Sequence, residues 1–405
     1  GRARGGGGGG GGAVPSSLSA GCDAGLGFLA ASFGQLSSFQ IGQAGSAHVT
    51  ADGVHAVCTR MPRLCRLDLS GCTRLTNGSL SAVGLLACLR ELDLGQCLLL
   101  SDEGLASLAG RLPLLAVLKL AGCWKITFEG CEDLITGWPH LHTLDLQDTR
   151  VADAGLQLLA CGLPRLSCLR LSRLWGITAG RGTRSLAAAA QTHGLRLSRL
   201  DMSQTNIADA DACHLAALTS LRYLDVSDTH VGDAGVAALA AALHGLVRWK
   251  LNRLSRLGSP GVRALAAAGP TMCSLRELHL RHCRNITEPA VVAAWQALPR
   301  LAVLELEGSW FVELPTIVKL HHGCMEKADR DARPLWDSRG DASLPLLHSA
   351  SGIAGAGARS AGGADGSRLR SHIGGEGSSG DESEGDDGGS SGGLHGGADW
   401  LAPLP

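Results

Sequence analysis

The chain has 405 residues, enough for two or three ordinary domains or for one long repeat array. Aromatic residues make up only 3%, with a single Tyr, and Gly fills 57 positions, which argues against a conventional large enzyme core. The formal net charge of -1 conceals seven acids and no Lys or Arg in residues 371–405, leaving +6 over residues 1–370, short of a nucleic-acid-binding balance.

In chain order, residues 1–20 contain the unbroken glycine run 5–12 and are expected to be disordered. They do not form a phosphate loop, because no G-K-[ST] follows and no strand precedes. Gly rather than Met at position 1 is read as the mark of a fragment or a processed chain. Asp23, Gly25 and Leu26 look like the second half of a truncated repeat, and a weak copy of a longer pattern begins at Leu36.

From Leu64 the pattern L-x-x-L-x-L-x-x-C/T recurs, followed by a short gap and then I/V/L-T/A-D-x-G-L/V. Copies start at Leu64, Leu89, Leu115, Leu141, Leu166, Leu197, Leu221, Leu246, Leu275 and Leu301, with steps of 25, 26, 26, 25, 31, 24, 25, 29 and 26 residues. Each opens with alternating apolar residues, the period of a strand with one buried face. Each continues into an Ala/Leu-rich helix whose leading Asp, such as Asp153, is expected to cap the helix N-terminus by accepting backbone N–H bonds. Helices are predicted to stop at Gly or Pro, as at Gly162 and Pro164. One such unit buries too little apolar surface to offset its ordering entropy, so the copies must stack. After the last copy, 316–345 is predicted to form a C-terminal cap, and 346–405 an acidic, Gly/Ser-rich disordered tail. In that tail Ser379 and Ser383 resemble acidophilic-kinase sites, and a plain solvated spacer is the competing reading.

The ninth repeat position is Cys72, Cys97, Cys123 or Cys283 in some copies and Thr149, Thr205 or Thr229 in others. The cysteine copies keep two residues before the next apolar anchor and the threonine copies keep one. Leu174 and Leu254 replace this residue in two copies, where local irregularity is expected. Cysteines recurring at one repeat position would stack in line rather than pair. With no secretory leader pattern they are expected to be reduced thiols in the cytoplasm or nucleus. No apolar run approaches the roughly 18 residues of a membrane span, and no CxxC suggests zinc. No membrane, nucleic-acid, metal or cofactor partner is expected.

This pattern resembles the leucine-rich repeat in its cysteine-containing subclass, over roughly residues 36–312. The resemblance implies an α/β solenoid over 21–315, a curved horseshoe with parallel strands on the concave side and helices on the convex side. It also resembles the substrate-recognition half of F-box proteins. There the repeats hold a substrate, and an F-box docks the adaptor of an SCF (cullin-type) ubiquitin ligase. Residues 1–60 lack the L-P-x-E opening and Trp-ended helix of an F-box, so the resemblance places any F-box before Gly1.

Between the two buried strand leucines, the fifth position defines an outward row: Asp68, Asp93, Lys119, Asp145, Arg170, Asp201, Asp225, Lys250, His279 and Glu305. Stacked carboxylates about 4.8 Å apart would repel, and Lys119, Arg170 and Lys250 relieve that. The row therefore reads either as charge balance along a sheet or as a mixed-charge docking face. Neighbouring columns add Arg173, Arg199, Arg248, Arg253 and Arg281. Trp124, Trp175 and Trp310 directly follow the ninth position, on a rim loop, as interface anchors or as packing between loops. Trp249 takes a buried leucine position. His279, His282 and Cys283 do not converge on a metal, because the thiol points into the ladder and His279 out of it. His321, His322 and Cys324 have no better claim, and Asp201, Ser203 and His214 make a triad only by selection.

The expected function is non-catalytic protein binding: a protein substrate held by Lys119, Trp124, Arg170, Arg173, Trp175, Lys250, Arg253, His279, Arg281 and Trp310, with adaptor and cullin engaged by an upstream F-box. The alternative is a scaffold of the cytoskeleton or ciliary axoneme without ligase attachment.

Overall fold

The computed structural model describes residues 23–41, 46–177 and 180–309, together with 312, 316, 319, 320, 323 and 324, all within one unit, Gly1–Leu335. The expected disordered segments 1–20 and 346–405, most of the expected cap, Trp310, His321 and His322 lie outside the described residues.

Eleven strands, β1 (Ser38–Gln40) through β11 (Val303–Glu305), form one open sheet in sequence order, every neighbour parallel. Helices alternate with the strands, and each packs on the helices of adjacent repeats. The result is the predicted solenoid. The weak copy at Leu36 supplies β1, and the half repeat before it supplies the helix Asp23–Ser32, which buries Leu26. Leu36 itself is exposed, which explains why that copy reads faintly. The register keeps equivalent positions opposite one another: Leu67, Leu92, Leu118, Leu144, Leu169, Leu200, Leu224, Trp249, Leu278 and Leu304 pair in series. All of these point inward and are buried, Trp249 included.

The sheet edge nearest the ladder has a feature that the amino-acid pattern does not announce. The eighth repeat position lies in the left-handed region whatever its side chain: Gln96 (φ 60), Asp148 (φ 56), Arg173 (φ 61), Gln204 (φ 56), Asp228 (φ 57), Arg253 (φ 55) and His282 (φ 57), with Gly71, Gly122 and Gly308 in the same role. Its N–H donates to the seventh-position carbonyl of the next repeat, from Gly71 N to Gly95 O (2.7 Å) through His282 N to Glu307 O (2.7 Å). A backbone bond carried from repeat to repeat offsets the steric cost of left-handed non-glycine residues.

The ninth-position thiols and hydroxyls are buried, and their bonds run in different directions. Cys97 Sγ donates to Leu69 O (3.3 Å), Cys123 Sγ to Leu94 O (3.1 Å) and Cys283 Sγ to Leu251 O (3.0 Å), each reaching the preceding repeat. Thr149 Oγ1 donates to Leu146 O (2.7 Å), Thr205 Oγ1 to Met202 O (2.6 Å) and Thr229 Oγ1 to Val226 O (2.7 Å), all within their own repeats. Ser309, with the longer gap, follows the cysteine pattern and donates to Leu280 O (3.1 Å). Gap length and bond direction therefore go together. Burial raises the thiol pKa of Cys72 and Cys123 to about 12 and that of Cys283 to about 11. The ladder cysteines Cys72, Cys97, Cys123 and Cys283 form no disulfide.

Two expectations need correction. The leading Asp does accept backbone N–H bonds, but those of the following helix rather than its own. Asp153 is the first residue of Asp153–Gly162 and accepts from Gly182 N (3.1 Å). Asp209 accepts from Gly232 N (2.7 Å) and Gly235 N (3.0 Å), and Asp233 from Gly258 N (2.8 Å) and Gly261 N (2.8 Å). Irregularity follows only one of the two ladder leucines. Beyond Leu174, the helix Arg181–Thr192 starts after Gly180 at φ 90, in place of the usual extended residue. Beyond Leu254, Gly258 is extended and bridges Asn285 as in an ordinary repeat. Both leucines are fully buried, so an apolar side chain fills the ladder site without breaking it.

Candidate functional site

The outer face of the sheet carries the third and fifth positions of each repeat. The carboxylates of the fifth row are partly structural. Asp68, Asp93, Asp145, Asp201 and Asp225 each accept the backbone N–H two residues on, at 2.9–3.1 Å. Asp thus closes the turn that leads into the left-handed position, a local reason for its recurrence.

The predicted cations lie among these carboxylates. Lys119 Nζ is 3.3 Å from both Asp93 and Glu91, and Glu91 also meets Arg66 at 3.5 Å. Arg170 reaches Asp145 at 3.2 Å, and the Asp145 side chain is only 5% exposed. Lys250 reaches Asp225 at 3.6 Å and stands over the Tyr223 ring at 5.6 Å, with the Arg199 guanidinium over the same ring at 5.3 Å. Burial, reinforced by the Asp225 carboxylate, raises the pKa of Asp201, and burial likewise raises that of Asp93. Burial is the main cause of both shifts, and the neighbouring acids, Asp225 beside Asp201 and Asp68 beside Asp93, add to it. At the C-terminal end, His279 is hydrogen-bonded to Glu305, Glu277 holds Arg248, and Arg281 lies 2.9 Å from Glu305 and 3.7 Å from Glu307. Burial opposes the charge on His279, but its bonds to Glu277 and Glu305 outweigh that and raise its pKa. The same bond from His279 lowers that of Glu305.

Arg173 and Arg253 differ from the strand cations because they occupy left-handed turns and are exposed. Arg173 donates through Nε to Gln204 Oε1 (2.6 Å) and stands 4.0 Å from Asp148. Trp124 and Trp175 lie on the rim, 44% and 67% exposed. Lys125 and Arg150 approach the Trp124 ring to 5.4 and 5.0 Å. Leu98 and Leu99, in the preceding rim loop, are also exposed and were not singled out by the sequence reading. Their signal was present: two apolar residues fill the gap between the buried Cys97 and Leu100, where no core position is left.

The residues of the selected triad separate. Ser203 Oγ donates to Asp201 (2.7 Å) on the sheet, whereas His214, in the helix Asp209–Leu215, contacts Thr183 (3.2 Å). Asp211, fully buried, accepts from Thr183 Oγ1 (2.7 Å), Gly180 N (2.7 Å) and Ala208 N (3.0 Å), so this group anchors the irregular helix start. Cys283 is buried in the ladder while His279 and His282 are on the opposite side of its strand and on the turn. Among the described residues no helix is long and apolar enough to cross a membrane.

A family model described as Leucine Rich repeat matches residues 86–109, 139–160 and 217–240. No curated protein matches the chain. Similar solved structures include the Rad7 and Elc1 complex in yeast, with 17% identity over 73% of this chain and 85% of that one at a TM-score of 0.46. Another is internalin C2 from Listeria monocytogenes str. 4b F2365, with 23% identity over 51% of this chain and 84% of that one at a TM-score of 0.37. The repeats are leucine-rich repeats, and the fold is a leucine-rich-repeat solenoid.

Proposed function

We propose that this leucine-rich-repeat solenoid is a non-catalytic protein receptor that holds its partner on the outer sheet face and the adjoining rim. The observation that carries the reading is the in-register sheet of eleven strands, which presents a preorganised row of charge beside the exposed Trp124 and Trp175. A rigid surface of this kind binds without ordering cost on its own side, and tryptophan and arginine are favoured anchors. The predicted contact residues that lie among the described ones divide into two sets. Lys119, Arg170, Lys250, His279 and Arg281 are held by carboxylates of the same face and set its shape and charge pattern. Arg173, Arg253, Trp124 and Trp175 project from turns and rim loops.

The likeness of the repeats to the recognition half of F-box proteins supports a place as the substrate-recognition subunit of a cullin-type ubiquitin ligase, in the cytoplasm or nucleus. A repeat scaffold of the cytoskeleton or cilium is the second reading, and it differs in needing no adaptor. The test is affinity purification of the full-length protein, wild type against a variant carrying Arg173→Glu and Arg253→Glu. The receptor reading expects a protein partner that the variant loses. The ligase reading further expects adaptor and cullin in both samples, and their absence from both leaves the scaffold reading. A partner retained by the variant would place binding away from these turns.

A further inference from the structure

Four successive rim loops run side by side. Ser101 bridges Lys125, Arg150 N donates to Ile126 O (2.9 Å), and Gly176 lies against Ala152, where an added Cβ would meet Ala152 Cβ at 3.0 Å. Along this edge stand the exposed Leu98 and Leu99, then Trp124 with Lys125 and Arg150 against its ring, then Trp175 with Arg173 on the turn before it. Loop residues 98–100, 124–126, 150–151 and 175–177 include no acid. The nearest carboxylates are engaged. Asp102 accepts from Thr127, Glu103 from Asn77, and Asp148 faces Arg173. Glu129, one residue beyond the exposed Phe128, bounds the strip on the helix side.

On the sheet face the cations are matched by carboxylates, so a charged partner gains little net attraction there. On this edge Lys125 and Arg150 flank apolar surface in loops that hold no acid, and Arg173 stands 4.0 Å from Asp148 on an exposed turn. We infer that the edge from Leu98 to Trp175 docks an acidic protein segment bearing an aromatic or leucine side chain. This rests on the protein-receptor reading and names the partner chemistry. Three repeat steps of about 4.8 Å span about 15 Å, the length of four to five extended residues. Carboxylates of such a segment would face Lys125, Arg150 and Arg173, while its apolar side chains cover Leu98, Leu99 and the tryptophans. A nucleic acid fits less well, because the two leucines offer nothing to a phosphate backbone.

The test uses the full chain and fluorescein-labelled probes read by anisotropy. The probes are a ten-residue peptide alternating Asp/Glu with Phe/Leu, the same peptide with Lys for the acids, the same with Ser for the apolar residues, and a ten-nucleotide single-stranded DNA. The first peptide should bind at least about tenfold more tightly than the other three and weaken with added salt. A variant carrying Trp124→Ser and Arg150→Glu should lose about tenfold or more while keeping the wild-type melting curve, since both residues are exposed. Arg66→Gln, on the sheet face and outside the strip, should leave peptide binding unchanged. If the face variant loses the peptide and the edge variant keeps it, the strip is wrong and the receptor reading stands. Equal binding of the Lys peptide or of the DNA also overturns the strip, as does failure of the wild type to bind the first peptide. The affinity purification then decides the receptor reading by itself.

Discussion

Arg170 and Arg173 are three residues apart, yet reversing their charge should have different consequences. Arg170 neutralises a carboxylate that is almost fully buried, and Arg173 sits on an exposed turn. Arg170→Glu should cost about 3–5 kcal/mol because it leaves Asp145 buried beside a like charge. Arg173→Glu should stay within about 0.5 kcal/mol. Chemical denaturation of the two variants measures the difference, and equal stabilities would mean that the Asp145 pair is solvated. His279 provides a pH signature. Its pKa is raised above the ordinary histidine value of 6.5, so its stabilising contribution is full below that value and is lost as pH rises through the folded pKa. The melting temperature should therefore fall as pH rises above about 6.5, and more steeply in wild type than in His279→Gln. Thiol chemistry checks the ladder. Under native conditions an alkylating reagent should modify the exposed Cys88, Cys161, Cys213 and Cys273 first, with Cys72, Cys97 and Cys123 following only on unfolding. Cys123→Ser should be tolerated, because Ser309 already makes the same bond to its preceding repeat.

At the scale of the element, the D-x-G signature becomes a contact between helices. A Cβ on Gly235 would meet Asp209 Oδ1 at 2.6 Å, and one on Gly261 would meet Asp233 Oδ1 at 2.5 Å. The Asp of one repeat therefore needs the Gly of the next, both for its amide and for the space beside it. Gly235→Ala should destabilise by about 1–3 kcal/mol and Asp209→Ala by about 1–2 kcal/mol. The two are neighbours, so the double variant should lose less than the sum, with a coupling of at least about 0.5 kcal/mol in denaturant titrations. Strict additivity would show that the pair does not act as one contact. The Asp was recognisable as a helix-start residue from sequence, but its partner was not. The partner lies 23 to 29 residues away, and chain-local capping rules look only within one turn.

Across the whole array, stability is shared between neighbours. Leu146 is fully buried and its carbonyl accepts the Thr149 hydroxyl, so Leu146→Asp places an unpaired charge inside the sheet's inner face. Hydrogen exchange should then accelerate first in β4 to β6, the strands Val117–Lys119, Thr143–Asp145 and Cys168–Arg170, and the melting transition should fall or split. An unchanged melting curve would contradict the register.

Repeat starts, the alternation of strand and helix, the inward leucines and the buried Cys/Thr position follow from sequence alone. Each is a periodicity within some 25 residues, and burial of one face per strand leaves no other register. The outward row from Asp68 to Glu305 was legible for the same reason. Its charge balance was legible too, since Lys119, Arg170 and Lys250 were expected to relieve the acids, but the pairing itself is decided between strands: Lys119 reaches back to Asp93, Arg170 to Asp145 and Lys250 to Asp225, each a full repeat away. The left-handed eighth position was silent for a further reason. It holds Gly, Gln, Asp, Arg or His, side chains with nothing in common, and its geometry is set by a backbone N–H that must reach the next repeat's carbonyl. That requirement arises only once the repeats stack, so only the tertiary structure could place Arg173 and Arg253 on exposed turns and leave the strand cations bound among acids.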